Sequence, residues 1–205
     1  MALTGYRGSV NGSIQTTYQD QPGVGVPGML MYAPEAGDKI DSIFVGETNG
    51  VGAGKGVQLV RNAESVTNFQ TPNVLAYLPD GDESAAEFGG IVVWQETMQT
   101  DSSGNNIYAA GRVARILKPG AVGGPIYVAA KDEVIPGTST VNWVIAAGSD
   151  GKYEVGDFAP GVLNSGTVGT TVALTNAAWV TAGDVDGIAG IELFGNIVPL
   201  LDASI

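Results

Sequence analysis

Chemistry in this chain could arise at only a few places: two glycine-rich strings and a few groups of carboxylates. Gly23-Val-Gly25-Val-Pro-Gly28 spells G-x-G-x-x-G, the pattern that cradles a pyrophosphate between a strand and a helix. Pro27, with no helical pattern after it, removes that context. Asn49-Gly-Val-Gly-Ala-Gly54-Lys55-Gly56 resembles a phosphate loop at a glance. Asn49 stands where the first glycine is needed, and Gly56 replaces the Ser or Thr that would hold magnesium. We read this stretch as a flexible turn entering a strand.

Asp80, Asp82, Glu83 and Glu87 form one acidic group, and Asp184 with Asp186 another. Calcium prefers such oxygen ligands, but neither group completes the D-x-[DN]-x-[DN]-G-x5-E loop, and both read as solvated turns. Glu96 and Asp101 could be posed as a glycosidase pair, which needs two carboxyl groups about 5–9 Å apart in a cleft. Neither has a distinctive context. The sequence contains no histidine and no cysteine. Imidazole-based metal hydrolases, thiol proteases, serine–histidine triads, structural zinc and disulfides are therefore excluded. No catalytic residue, cofactor or metal ligand is assigned.

What surrounds these places is architectural. The 205 residues include 31 glycines and 10 prolines, 44% are hydrophobic, and only 15% are charged. That is enough apolar material for one substantial core, under a surface poorer in charge than the roughly 25% of an average soluble protein. Such a surface is suited to being covered in an assembly. Nine Lys and Arg oppose 21 Asp and Glu, a formal net charge of −12, which disfavours nucleic acid as a partner. The one basic cluster, Arg112, Arg115 and Lys118, splits between two faces of a strand and makes no coherent patch. Residues 1–7 lack the apolar core of a signal peptide, and no run approaches the ~20 apolar residues of a membrane span. No membrane partner is expected.

Residues 1–34 differ from the rest. They are rich in Gly, Ser, Thr, Asn and Gln and end in PGVGVPGMLMYAP. Prolines 22, 27 and 34 with glycines 23, 25 and 28 are incompatible with a helix interior or a central strand. We expect an extended arm that crosses a neighbouring subunit, with Val24, Val26, Met29, Leu30 and Met31 as apolar anchors. Tyr18 and Pro27 complete the candidate contact set.

Residues 35–205 read as a single β-rich core domain. Strands are expected at 40–46, 56–61, 88–96, 107–118, 125–130, 140–146, 167–175 and 187–194, all rich in Val, Ile and aromatics and bounded by Gly, Asn, Asp or Pro. Ile91-Val92-Val93-Trp94 and Ile126-Tyr127-Val128 look buried on both sides or set in a barrel wall. One helical turn is expected at 84–88. Long polar loops are expected at 95–106 and 147–166, where a β scaffold presents contact surface. The fold class is all-β, a β-barrel or β-sandwich core with an extended N-terminal arm. Trp94, Trp143 and Trp179 lie in or beside strands and are expected to pack; exposed, they would instead suit a carbohydrate-binding or adhesive module.

The order of segments carries a resemblance. The arm ending PGVGVPGML precedes DKIDSIFVGETNG and GAGKGVQLV. FGGIVVWQET, YAAGRVARILKPGAVGGPIYVAA and WVTAGDVDGIAGIELFG follow. Over residues 14–200 this succession resembles the structural cement, or head decoration, proteins of tailed bacteriophages. The resemblance implies a non-enzymatic virion protein, assembled in the host cytoplasm. It would bind the outer surface of an icosahedral capsid and bridge neighbouring major capsid protein subunits. It also implies a homo-oligomer, with a trimer favoured over a dimer. The loops at 95–106 and 147–166 are longer than compact members would carry, and the segment before the central strand is more acidic.

Overall fold

The computed structural model describes residues 25–31, 40–62, 72–102, 104–120 and 125–194, and the backbone of 201–202. Tyr18 and Val24 lie outside the described residues. The described chain is all-β apart from a 3-10 turn, and its strands, numbered in chain order, form three sheets.

The first sheet contains β1 (Ile40–Val45), β3 (Gly56–Arg61), β4 (Val74–Tyr77), β5 (Phe88–Val93), β8 (Val113–Leu117) and β16 (Leu201–Asp202). Its neighbours run β16-β3-β4-β1-β8-β5, and β5 also pairs with β3. The circuit β3-β4-β1-β8-β5 therefore closes into a small five-stranded barrel, with only the β1–β4 pair parallel. Closure removes sheet edges. A register shift between Val57 and Gln58 marks the bulge that bends β3 toward β5. The interior is filled by modest side chains, among them Ile43, Val45, Val57, Leu59, Ala76, Val92, Ala114 and Ile116.

The second sheet is open. It orders β12 (Asn164–Ser165), β13 (Gly169–Ala173), β10 (Asn142–Ala147), β11 (Phe158–Ala159), β9 (Ile126–Ala130), β15 (Gly187–Leu193) and β14 (Ala177–Trp179). One face packs on the outer wall of the barrel. Phe88, Ile91, Val93 and Leu117 of the barrel share a cluster with Ile126, Val128, Trp143, Phe158, Trp179 and Ile191. Phe88 meets Trp143 edge-on, with ring centroids 5.3 Å apart. Alternation along β5 explains why every residue in it is buried: Val92 faces the barrel interior, while Ile91 and Val93 face the second sheet. The expectation of a strand buried on both sides and set in a barrel wall is met in both parts.

The third sheet is a ribbon of β2 (Val51–Gly52), β7 (Asn106–Tyr108) and β6 (Gln99–Thr100). Val51 and Tyr108 belong to the barrel's apolar cluster, so this ribbon packs against the barrel.

Two expectations are revised, and one is met in a specific form. The strand expected at 107–118 is two strands in different sheets, broken by a turn at Ala109–Arg112 in which Gly111 has φ +70°. The polar stretch 95–106 contains β6 and the start of β7, and 147–166 contains β11 and β12. The helical turn expected at 84–88 is present as a 3-10 turn, Ala85–Glu87, and the Glu87 carboxylate accepts the Ser84 hydroxyl at 2.9 Å.

Candidate functional site

Residues 25–31 dock on the chain's own core and connect the two main layers. The Gly28 N–H donates to the Tyr127 carbonyl on β9 at 2.7 Å, and its carbonyl accepts the Trp94 N–H beyond β5, also at 2.7 Å. Tyr127 and Met31 N–H groups donate to Met29 and Pro125 carbonyls at 2.9 Å, so the segment pairs antiparallel with the start of β9 around Leu30 and Ile126. One residue, Gly28, thus links the second sheet to the barrel. Gly28 has φ +83°, and a Cβ there would stand 2.8 Å from Ala53 Cβ and from the Gly54 and Trp94 nitrogens. Only glycine fits both the conformation and the space.

This geometry places five candidate contact residues. Val26 and Pro27 are half-buried and line a cleft, Leu30 packs against the interlayer core, and Met31 lies against Gly190. Met29 remains 40% exposed. Gly25 lies so close to Tyr127 and Ile188 that a Cβ would meet both at 2.8 Å. The segment covers Tyr127 on the side of β9 turned away from the interlayer core.

The cleft, about 550 Å³, opens where all three sheets meet, and Lys55, Asp101, Lys131, Glu154 and Asp157 are among its lining residues. The string 49–56 reaches it as the short strand β2 followed by a turn at Ala53–Gly54 into β3, so the expected turn occupies only part of it. Lys55 Nζ donates to Glu154 Oε2 and Asp157 Oδ1, each at 2.7 Å. Asp157, which is buried, also accepts the Glu154 N–H at 2.9 Å. The hydrogen bond from Lys55 and its positive charge hold the Glu154 carboxyl below its ordinary range. Alongside, the Gly56 N–H donates to the Gly156 carbonyl at 2.7 Å. The lysine of the phosphate-loop look-alike therefore joins barrel to second sheet, its charge balanced by two carboxylates.

Another carboxylate lies beside the same sheet. Asp132 accepts the Tyr153 hydroxyl at 2.6 Å and pairs with Lys152. Burial would raise its carboxyl, but the hydrogen bonds from Lys152 and Tyr153 outweigh this and hold it low. Burial, reinforced by Asp132, pushes the Tyr153 hydroxyl well above its ordinary value.

Other acidic residues organise turns. Glu83, buried, accepts the Asp80 N–H at 2.6 Å, the Gly81 N–H at 3.0 Å and Gln58 Nε2 at 3.0 Å. Asp101 accepts the Asn105 N–H at 2.8 Å. The Gly187 N–H closes the turn at Asp184 by donating to its carbonyl at 3.0 Å. Among the described residues no group of three or more acidic side chains is placed to hold a metal ion. Trp143 and Trp179 are buried, and the Trp179 indole donates to the Thr140 carbonyl at 2.9 Å. Trp94 is half-buried beside the docked segment, so the three make no exposed aromatic platform.

Sequence reasoning missed the Lys55–Glu154–Asp157 junction. Its partners are 99 and 102 residues apart, and no local pattern marks them. It also passed over Phe44, the one outward side chain in the run Ile43-Phe44-Val45, for which strand alternation was the available signal.

A family model described as "Structural cement protein (E217 gp24/Pam3 gp6)" matches residues 14–194. Among solved structures, a chain from "The capsid of Myoviridae Phage XM1" is similar with a TM-score of 0.53 and 15% identity, over 89% of this chain and 95% of that one. At that identity the likeness is one of fold. No curated protein sequence is detectably similar.

Proposed function

Because this chain belongs to the phage structural cement protein family, a non-enzymatic family of the virion, we propose that it binds the outside of an icosahedral head. There it bridges neighbouring major capsid protein subunits. The observation that carries this reading is the family match, which spans the docked segment, the barrel and the second sheet together. The architecture supports it. Two β layers joined by backbone hydrogen bonds and a lysine–carboxylate junction make a stiff body, and a stiff body loses little freedom on binding. Many copies, each making modest contacts, then stabilise a shell by mass action.

Within this reading the stretch before residue 25 reaches an adjacent subunit, with Tyr18 and Val24 as contacts, and Met29 adds an exposed apolar side chain where that stretch meets the body. The chain works as a homo-oligomer, a trimer before a dimer, and takes neither nucleic acid nor membrane as a partner.

The test is co-sedimentation with expanded capsids that lack this protein. Full-length chain should pellet with them. A form lacking residues 1–24 should stay folded, since it keeps Gly28 and its bonds to both layers, but should decorate at least ten-fold more weakly. Undiminished decoration by the truncated form would remove the clamp, and no decoration by the full chain would remove the capsid reading altogether.

A further inference from the structure

One wall of the barrel stays partly exposed among the described residues. Pairing registers align Val60 on β3, Leu75 on β4, Phe44 on β1 and Val113 on β8 in one row across four adjacent strands. Partners in a row share a face, and this face points away from the barrel interior filled by Ile43, Val45 and Ala114. Val60 and Leu75 are half-buried, while Phe44 is 38% and Val113 43% exposed. Single exposed apolar residues are ordinary, but a row of them in register is not.

At the Phe44–Val113 end the row runs into a concavity of about 540 Å³. Met98 and Ile107 form apolar parts of its lining, and Arg112 belongs to it too. Arg112 is exposed and forms no ion pair among the described residues. This matters in a chain with 21 acidic and nine basic residues, where Lys55, Lys118 and Lys152 are all paired with carboxylates. An unpaired guanidinium at the lip of an apolar hollow is matched by a carboxylate adjoining an apolar side chain.

We propose that this wall, and not the outer face of the second sheet, meets the shell, and that its hollow receives a capsid-protein segment carrying an acidic residue beside an apolar one. The inference rests on the capsid-binding reading and adds the face and the chemistry of the contact. Phe44 and Val113 supply the apolar floor, and Arg112 fixes the direction of the bound segment.

The measurement is again co-sedimentation with expanded capsids lacking this protein, using the full chain. A Phe44→Ser/Val113→Ser double variant should bind at least ten-fold more weakly. Arg112→Glu should do the same and Arg112→Gln less, with wild-type binding weakened by added salt. Thr97→Trp fills the hollow from an exposed rim position without touching the core. It should also weaken binding, so the proposal stays testable if the double variant fails to fold. Wild-type affinity in folded Arg112→Glu and Thr97→Trp would overturn the proposal while leaving capsid binding in place. Failure of the wild type itself to sediment would overturn both. A free homodimer that these changes dissolve, with capsid binding intact, would assign the wall to a second copy and also overturn it.

Discussion

The barrel and the second sheet solve the same problem in opposite ways. The barrel closes its hydrogen-bond circuit and fills a narrow interior with Val, Ala and Ile. The second sheet stays open, carries the large aromatics Trp143, Phe158 and Trp179, and buries them only by lying on the barrel's outer wall. It borrows further support from the segment around Gly28 and from Lys55, both reaching it from outside. Among the described residues the barrel keeps part of its outer wall exposed, at Phe44 and Val113, while the sheet has its inner face committed.

That asymmetry can be broken most severely at the interlayer. Trp143→Ala should destabilise the fold by about 3–5 kcal/mol, the usual cost of emptying a large aromatic site, read as a shift of the urea or guanidinium midpoint. Trp143 is fully buried against Phe88. If the loss were under about 1 kcal/mol, the sheet would not depend on the barrel as described.

A smaller break is expected at the connecting peptide. Gly28→Ala puts a side chain at φ +83° and 2.8 Å from two backbone nitrogens, costing about 1–3 kcal/mol. Amide exchange should quicken first at Tyr127 and Trp94, whose N–H groups pair with this segment. Unchanged exchange there would mean that the segment does not hold the layers together.

Acid should have the smallest effect. Glu154 and Asp132 both have carboxyls held below their ordinary range. A carboxyl lowered on folding contributes stability that is present above its unfolded pKa, near 4, and is lost as pH falls through the lower folded value. The thermal midpoint should be level from about pH 7 to 5 and fall below about pH 4. Lys55→Met should reduce that acid slope, since Lys55 does most to lower Glu154, with Lys131 adding to it. A slope that the variant leaves unchanged would place the acid sensitivity elsewhere.

Seven of the long strands were readable because their residues state both propensity and boundaries. Gly56–Arg61 coincides with its expected range, and Ile40–Val45 ends one residue early. Strands of two or three residues, such as Phe158–Ala159 and Ala177–Trp179, were not, because so short a run has no periodicity to detect. Val74–Tyr77 was missed for the same reason, with only four residues before a proline and an acidic turn. The strand expected at 107–118 failed differently. Its residues suit a strand throughout, but Gly111 lets the chain turn and pass from the third sheet to the barrel. Of the candidate contact residues, the alternation of glycine and proline correctly denied Val26–Leu30 a helix, but the expected place for them was a neighbouring subunit, whereas residues 25–31 dock on the chain's own core.

The sequence by itself determined the class of the protein. The missing histidine and cysteine closed off the commonest catalytic chemistry, glycine-framed Val and Ile runs required strands, and the order of those runs carried the family. These are local properties, written in residue type and spacing. Only the tertiary structure decided that the barrel closes, that Lys55 meets carboxylates about a hundred residues away, that Gly28 joins two layers, and that Phe44 and Arg112 line one concavity. Each of these depends on contacts between distant segments, and no local pattern in the chain encodes them.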